Sequence, residues 1–392
     1  MREIMKKILL ATTMLASVAG YAAADVSVSG DARMGVVSSD SVTTFSSRAR
    51  IKFSGSGTTD AGLSFGGSFR AKDATGANDG IKGSVFISGA FGKISMGDVD
   101  SADAATVGQL ASVGYTGLGS TNSINYAADG FDVFGLGSSI KESAAKVNDL
   151  SGYGTSYSLA TTVTGGAAAK VLYTYSGNGL TVAASAGQIS NSGSHSAYAL
   201  GVAYTTGALT LAAGYGSNEW DFDAKVTGNY YAQIDGEYSL YTGETFTADE
   251  YHPEGDVTDS SLSATYVMGA TTLKAIYQDK EVSDNTDGYS MSATSMGMSV
   301  QHKIDTLTLT AFYVTTDLTD DIVSDGTSVS FARSGIGASY DLGGGASITG
   351  GVVNVEVPSL VDTAIYNNGD IAYGTLETTS YTAYDFGVNF SF

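Results

Sequence analysis

Apolar and polar residues alternate along most of this chain with a period of two. In residues 45–55 (FSSRARIKFSG), Phe45, Ser47, Ala49, Ile51 and Phe53 share one face, and Ser46, Arg48, Arg50, Lys52 and Ser54 the other. Successive side chains of a strand point to opposite sides of its sheet, so this pattern predicts a strand with one apolar and one polar face. Residues 26–36 set Val26, Val28, Met34 and Val36 against Ser27, Ser29, Asp31 and Arg33. Residues 62–72 set Leu63, Phe65, Phe69 and Ala71 against Ser64, Ser68, Arg70 and Lys72. The pattern recurs at 80–90, 91–98, 170–177, 179–188, 197–205, 207–217, 260–268, 270–280, 290–303, 305–316, 329–342, 345–356 and 383–392, for a total of about sixteen strands.

The connectors carry as much information as the strands. Short links (Gly55–Gly62, Gly89–Gly92, Ser176–Gly179, Thr205–Ala208, Met268–Ala270, Lys303–Asp305, Leu342–Gly345) alternate with longer ones at 37–44, 73–79, 99–169, 189–196, 218–259, 281–289, 317–328 and 357–382. In an up-and-down antiparallel meander, such alternation gathers all turns at one end and all loops at the other, as in outer-membrane barrels. About sixteen strands closing with their apolar faces inward would enclose a lumen too wide for side chains to fill. Turned inside out, the same sheet presents its apolar face to lipid and its polar face to water, and closure pairs every backbone group. The expected fold is therefore all-β, a transmembrane antiparallel barrel. Tyr173, Tyr175, Tyr198, Tyr204, Tyr215, Tyr266, Tyr277, Tyr313, Tyr340 and Tyr384 fall on the apolar face near strand ends, where an interfacial aromatic girdle belongs.

Composition narrows the classes further. Of 392 residues, 51 are glycine, 2 proline and none cysteine, which leaves no disulfide scaffold and no thiolate metal or redox site. No uninterrupted apolar run approaches the ~18 residues of a membrane helix. Residues 1–24 read as an export signal: Arg2, Lys6 and Lys7 precede the apolar stretch Ile8–Ala19, and Ala22-Ala23-Ala24 offers an A-x-A cleavage site. Its removal takes away three basic residues and one acidic residue, leaving a 25–392 barrel with 16 basic and 39 acidic groups, net −23. So acidic a chain is unsuited to nucleic acid. GLSFG at 62–66 matches G-x-S-x-G, yet Ser64 lies inside an alternating strand with no helix after it, which does not make a nucleophile elbow. His195, His252 and His302 lack metal-ligand spacing, so no enzyme is expected.

SGDARMGV (29–36), FSSRARIKFSGSGTTDAGLSFGGSFRA (45–71), GSVFISGAFGKISMGD (83–98), VGYTGL (113–118) and GIGASYDLGGGASITGG (335–351) resemble the Rhodobacter-type porins of alphaproteobacteria. The resemblance spans the barrel. It implies a sixteen-stranded homotrimeric channel for passive diffusion of ions and small hydrophilic solutes, with the third long loop folded into the lumen as a constriction. Residues 99–169 stand where that loop belongs. Their sequence departs from the family over 119–169, with a short helix expected around Ser139–Val147 and room for an additional hairpin within 135–169.

Six of the basic residues, Arg33, Arg48, Arg50, Lys52, Arg70 and Lys72, share the polar, lumen-facing side of the first three strands. In the family such a wall cluster opposes acids on the inserted loop, and Arg33, Arg48, Arg50 and Arg70 match it. The nearest acids are Asp98, Asp100 and Asp103, followed by Asp129 and Asp132. The alternative is a solvated wall with loop salt bridges. Further acids, among them Glu219, Asp221, Asp223, Glu244, Asp249, Glu250, Glu254, Asp256, Asp259, Asp317, Asp320, Asp321 and Asp325, fall in external connectors. An acidic mouth concentrates cations within a Debye length of roughly 8 Å, so a mild cation preference is expected. Asp98, Asp100 and Asp103 are also a candidate calcium site, since calcium seeks hard oxygen ligands and related porins bind it, although no full EF-hand loop is present. Expected partners are outer-membrane lipid and lipopolysaccharide, two further copies of the chain, and the barrel assembly machinery, which would read the terminal Phe392 at the end of an alternating strand. Competing readings are a porin with one preferred solute, an outer-membrane enzyme, and a structural barrel with a plugged lumen.

Overall fold

A computed structural model of the chain describes residues 25–39, 42–78, 82–129, 170–188, 195–221, 225–227, 230–234, 237–241, 245–247, 254–284, 289–320, 327–361, 366–367, 370–371 and 375–392. Sixteen strands form one closed barrel. They are β1 (Asp25–Ser39), β2 (Val42–Thr58), β3 (Ser64–Arg70), β4 (Ser84–Gly89), β5 (Gly92–Gly97), β6 (Lys170–Gly177), β7 (Leu180–Gln188) and β8 (His195–Thr206). The second half is β9 (Leu209–Asp221), β10 (Glu254–Met268), β11 (Thr271–Asp284), β12 (Tyr289–Ile304), β13 (Leu307–Asp320), β14 (Thr327–Gly343), β15 (Ala346–Val361) and β16 (Thr375–Ser391). Each strand is antiparallel to the next, and β16 returns to pair with β1 from Ala383↔Ser39 to Ser391↔Asp31. Phe392 finishes the seam, its backbone exchanging hydrogen bonds of 2.6 and 2.9 Å with Gly30. Every strand read from the alternation is present.

The two faces of the barrel are sharply unlike. On β8, Leu200 is 60% exposed while its neighbour Ala199 is 1% exposed; on β16, Phe386 is 58% and Asp385 3%. Phe45, Phe53 and Phe65 share the exposed apolar side, as do nine of the ten tyrosines of the expected girdle. Large apolar side chains that face outward from a closed sheet are what a bilayer covers. Among the described residues no helix is long and apolar enough to cross a membrane; the crossing elements are strands.

Several loops are shorter than the alternation suggests. The connector expected over 37–44 is taken up by strand, since β1 runs to Ser39 and β2 begins at Val42. Likewise β11 runs on to Asp284, into the connector expected over 281–289. The physical reason is that the backbone ladder needs no apolar partner: polar strand ends such as Val37–Ser39 paired with Val42–Thr44 continue beyond the lipid band, where both faces meet water. Conversely, β3 stops at Arg70, and Lys72 leaves the wall in the 3-10 turn Ala71–Asp73, followed by the short helix α1 (Ala74–Asn78). Between β9 and β10 two small ribbons form, Lys225–Thr227 with Thr245–Thr247 and Tyr230–Ile234 with Glu237–Tyr241. The export signal at 1–24, Asp132, and the helix and hairpin expected within 135–169 lie outside the described residues.

Candidate pore constriction

After β5 the chain enters the barrel. Helix α2 (Ala102–Val107) lies against β7, β8 and β9, and Ala102 N–H donates to Ser185 Oγ at 2.9 Å. The wall there is built from small residues, Ala183, Ala197 and Ala199 among them. A Cβ on Gly201 would sit 2.1 Å from Thr106 Oγ1, and one on Gly214 2.7 Å from Asp103 Cβ, so only glycine admits the helix this closely. Beyond α2 the chain crosses to the far wall. Ala111 N–H donates to Ser299 Oγ on β12 (3.1 Å), and Tyr115 and Thr116 donate their N–H groups to Asp385 on β16 (3.1 and 2.7 Å). It then returns, and Ala127 N–H donates to Asp259 on β10 (2.7 Å). A segment bonded in turn to β7, β12, β16 and β10, always on the face opposite the exposed apolar one, can only lie inside the barrel.

Wall side chains grip the backbone of this segment. Asp385 also accepts from Thr116 Oγ1 (2.6 Å), Lys274 Nζ donates to the Val107 carbonyl (2.5 Å), Arg33 Nη1 to the Tyr115 carbonyl (3.4 Å) and Asn218 Nδ2 to the Ala127 carbonyl (3.1 Å). Internal bonds tie the outgoing and returning limbs, with Gln109 paired to both backbone groups of Ile124 and Asn122 donating to the Leu110 carbonyl. Apolar packing does the rest. Val107, Leu110, Val113, Leu118, Ile124 and Tyr126 bury against Ala212, Ile276, Phe312, Val314, Val353, Val355 and Ala383 of the wall. Over β11–β15, then, apolar residues interrupt the polar inner face and make the seat of the loop.

The basic residues stand on the remaining wall. Arg33 is directly opposite Arg48 and Asp31 opposite Arg50 in the β1–β2 ladder, and Lys52 faces Arg70 across β2–β3. Asp31 bridges two of them, accepting from Arg48 Nη2 at 3.1 Å and from Arg50 Nε at 2.9 Å. Arg33 is turned to the loop, its guanidinium 5.7 Å from the centre of the Tyr115 ring. Lys52 and Arg70 are exposed, whereas Lys72 lies off the wall and sits 3.9 Å from Asp73. Lys93 on β5 belongs to the same wall and was not singled out in the sequence; its ammonium lies 4.6 Å over the inward-facing Phe86.

The loop acids do not form a row facing this wall. Asp98 pairs with Lys82 (3.6 Å) and Asp129 with Lys170 (2.5 Å), while Asp100 is exposed. Asp103 is fully buried, accepting from Ser101 Oγ and Ala104 N–H. Asp98, Asp100 and Asp103 therefore point to three different surroundings, and among the described residues no three His, Cys, Asp or Glu side chains converge on a metal position. Asp259, expected at the mouth, is instead buried within β10 beside the returning limb, because the strand extends past the apolar band. Burial pushes the Asp103 carboxyl above the usual carboxylate range, against the pull of its Ser101 and Ala104 hydrogen bonds. The docked loop thus favours the protonated form, and docking is expected to weaken as pH rises from the ordinary carboxylate range through the raised value. Faster amide exchange of residues 102–107 at alkaline pH would show it; exchange independent of pH, after correction for the intrinsic rate, would not fit.

A closed membrane barrel with an inward-folded loop and a water-facing basic wall defines a β-barrel channel. The chain belongs to the Gram-negative porin family, whose sequence profile matches residues 11–358. It is 33% identical over 354 residues to a porin of Rhodobacter capsulatus, covering 86% of this chain and 96% of that one. A porin structure refined at 1.8 Å superposes with a TM-score of 0.62 at 30% identity, covering 94% of this chain and all of the other. The trimer form of OmpT from Vibrio cholerae shares the fold at 15% identity, with a TM-score of 0.61 and coverage of 94% and 99%. The protein is an outer-membrane diffusion channel, and a passive one rather than an enzyme.

Proposed function

We propose that the protein is a general diffusion porin, mildly cation-preferring, that passes ions and small hydrophilic solutes without a dedicated binding site. The observation that carries this reading is the division of the inner wall. One side is covered by a loop fixed at several points, and the other keeps exposed Lys52 and Arg70 toward the lumen. A fixed loop sets a size limit, and charges on a wet wall sort solutes without trapping them. A unit pair ~10 Å apart interacts by only ~0.4 kcal/mol in bulk-like water. A conductor must release as readily as it binds. Excess acid in the external connectors supports the cation preference by enriching cations at the mouth. Three copies per assembly are in keeping with the trimer form of the OmpT relative. The outward tyrosines suit contact with lipid and lipopolysaccharide, and the exposed Phe392 at the seam suits recognition by the assembly machinery.

Recording from purified protein in a planar bilayer with asymmetric potassium chloride tests pore, size and sign together. Open channels with potassium favoured over chloride are expected, and replacing Arg48 and Arg50 with glutamine should raise that preference. Better permeation of chloride in the wild type would refute the cation preference, and zero conductance the channel itself.

A further inference from the structure

We propose that Asp31 is the residue that sets the ion preference of the pore wall. The inference goes beyond the general-porin reading and rests on it only in needing an open lumen. Asp31 stands on β1 in the middle of the basic wall, opposite Arg50 in register and within 3.1 Å of Arg48 as well. Its carboxylate is 42% exposed, so these ion pairs add little to stability. Their consequence is where charge is left. One carboxylate offsets one of two guanidinia, and the wall keeps the excess of the other together with Lys52 and Arg70.

No described loop acid takes over this task. Asp98 and Asp129 are engaged by Lys82 and Lys170, Asp103 is buried, and the exposed Asp100 lies beside Asp129 and Lys170 rather than among the arginines of β1 and β2. On the wall itself, Asp385 is spent on the backbone of Tyr115 and Thr116. Asp25, on the same face of β1, pairs with Ser56 six residues along the strand, which at ~3.3 Å per residue puts it about 20 Å away. An ion passing the arginines therefore meets Asp31 as the nearest described negative charge. Uncovering Arg48 and Arg50 by removing it turns that stretch toward anions.

The test is the potassium-to-chloride permeability ratio from reversal potentials at low salt, for the wild type, Asp31→Asn, Asp31→Glu and Arg50→Gln. Asp31→Asn should lower the ratio about tenfold: one charge about 6 Å from a passing ion at water's dielectric gives a Boltzmann factor of about three, which acts on potassium and chloride in opposite senses. Asp31→Glu should restore it, and Arg50→Gln should move it the other way. The size of the single-channel conductance and the heat resistance of the barrel should stay near wild type, a separation that a merely structural role for Asp31 would not give. A conducting wild type whose ratio is unmoved by Asp31→Asn overturns the proposal. Should that variant fail to fold, an unmoved ratio in Arg50→Gln overturns it equally. A wild type that does not conduct overturns the porin reading beneath it, not the charge assignment.

Discussion

Leu200→Arg is expected to destabilise the assembled barrel by about 2–4 kcal/mol, the cost of an arginine on the lipid face near the bilayer midplane. Leu200 lies mid-strand on β8 with its side chain 60% exposed; Tyr198 on the same strand, Val182 on β7 and Tyr215 on β9 share its surface. A soluble protein would tolerate the change, since an exposed leucine gives up little when it becomes charged. In this barrel the guanidinium must instead reach the interface or draw water into the bilayer. Ser54→Arg, on the inner face of β2 beside Lys52, is the matched control and should cost little. Equilibrium unfolding in urea from lipid vesicles measures both. Equal, small effects at the two positions would mean that the exposed apolar face does not meet lipid.

The alternation that marks Leu200 as outward was legible because a strand has only two faces, and a lipid face must be apolar along its whole length. All sixteen strands and the closed barrel followed from that rule. Less legible was everything set by one wall meeting another. Phe312 and Val314 on β13, like Val353 and Val355 on β15, make those strands apolar on both faces. That double apolarity is the signal, present in the sequence, that something dry docks inside. By the same logic the basic inner face of β1–β3 marks the wall left to water. Asp31 stood in the sequence among the polar-face residues of the first strand, but its pairing with Arg48 and Arg50 depends on the β1–β2 register, which alternation alone does not supply. The role of the loop acids is not legible in the sequence, because a carboxylate near a pore is as useful for holding backbone N–H groups as for facing ions. Asp103 and Asp259 are examples, both buried.

Asp385→Ala should have the largest effect on the constriction itself. Asp385 is 3% exposed and accepts three hydrogen bonds, from Tyr115 N–H, Thr116 N–H and Thr116 Oγ1, at the point where the loop meets β16. Alanine leaves those donors without a partner, at roughly 1–3 kcal/mol for each backbone N–H that stays buried. The nearby Arg33 contact with the Tyr115 carbonyl, long at 3.4 Å, cannot hold the turn alone. The barrel ladder is not touched: Asp385 keeps its backbone pairing with Val37 and Gly351. The outcome expected is a barrel with near-wild-type thermal stability but a loosened loop. Channel recordings should show altered conductance with more frequent flicker, and the amides of 113–118 should exchange faster while those of β16 do not. Asp385→Asn, which keeps one acceptor oxygen, should fall between the two. Unchanged conductance and unchanged exchange in Asp385→Ala would mean that the apolar seat under Val107–Tyr126 fixes the loop without its polar anchors.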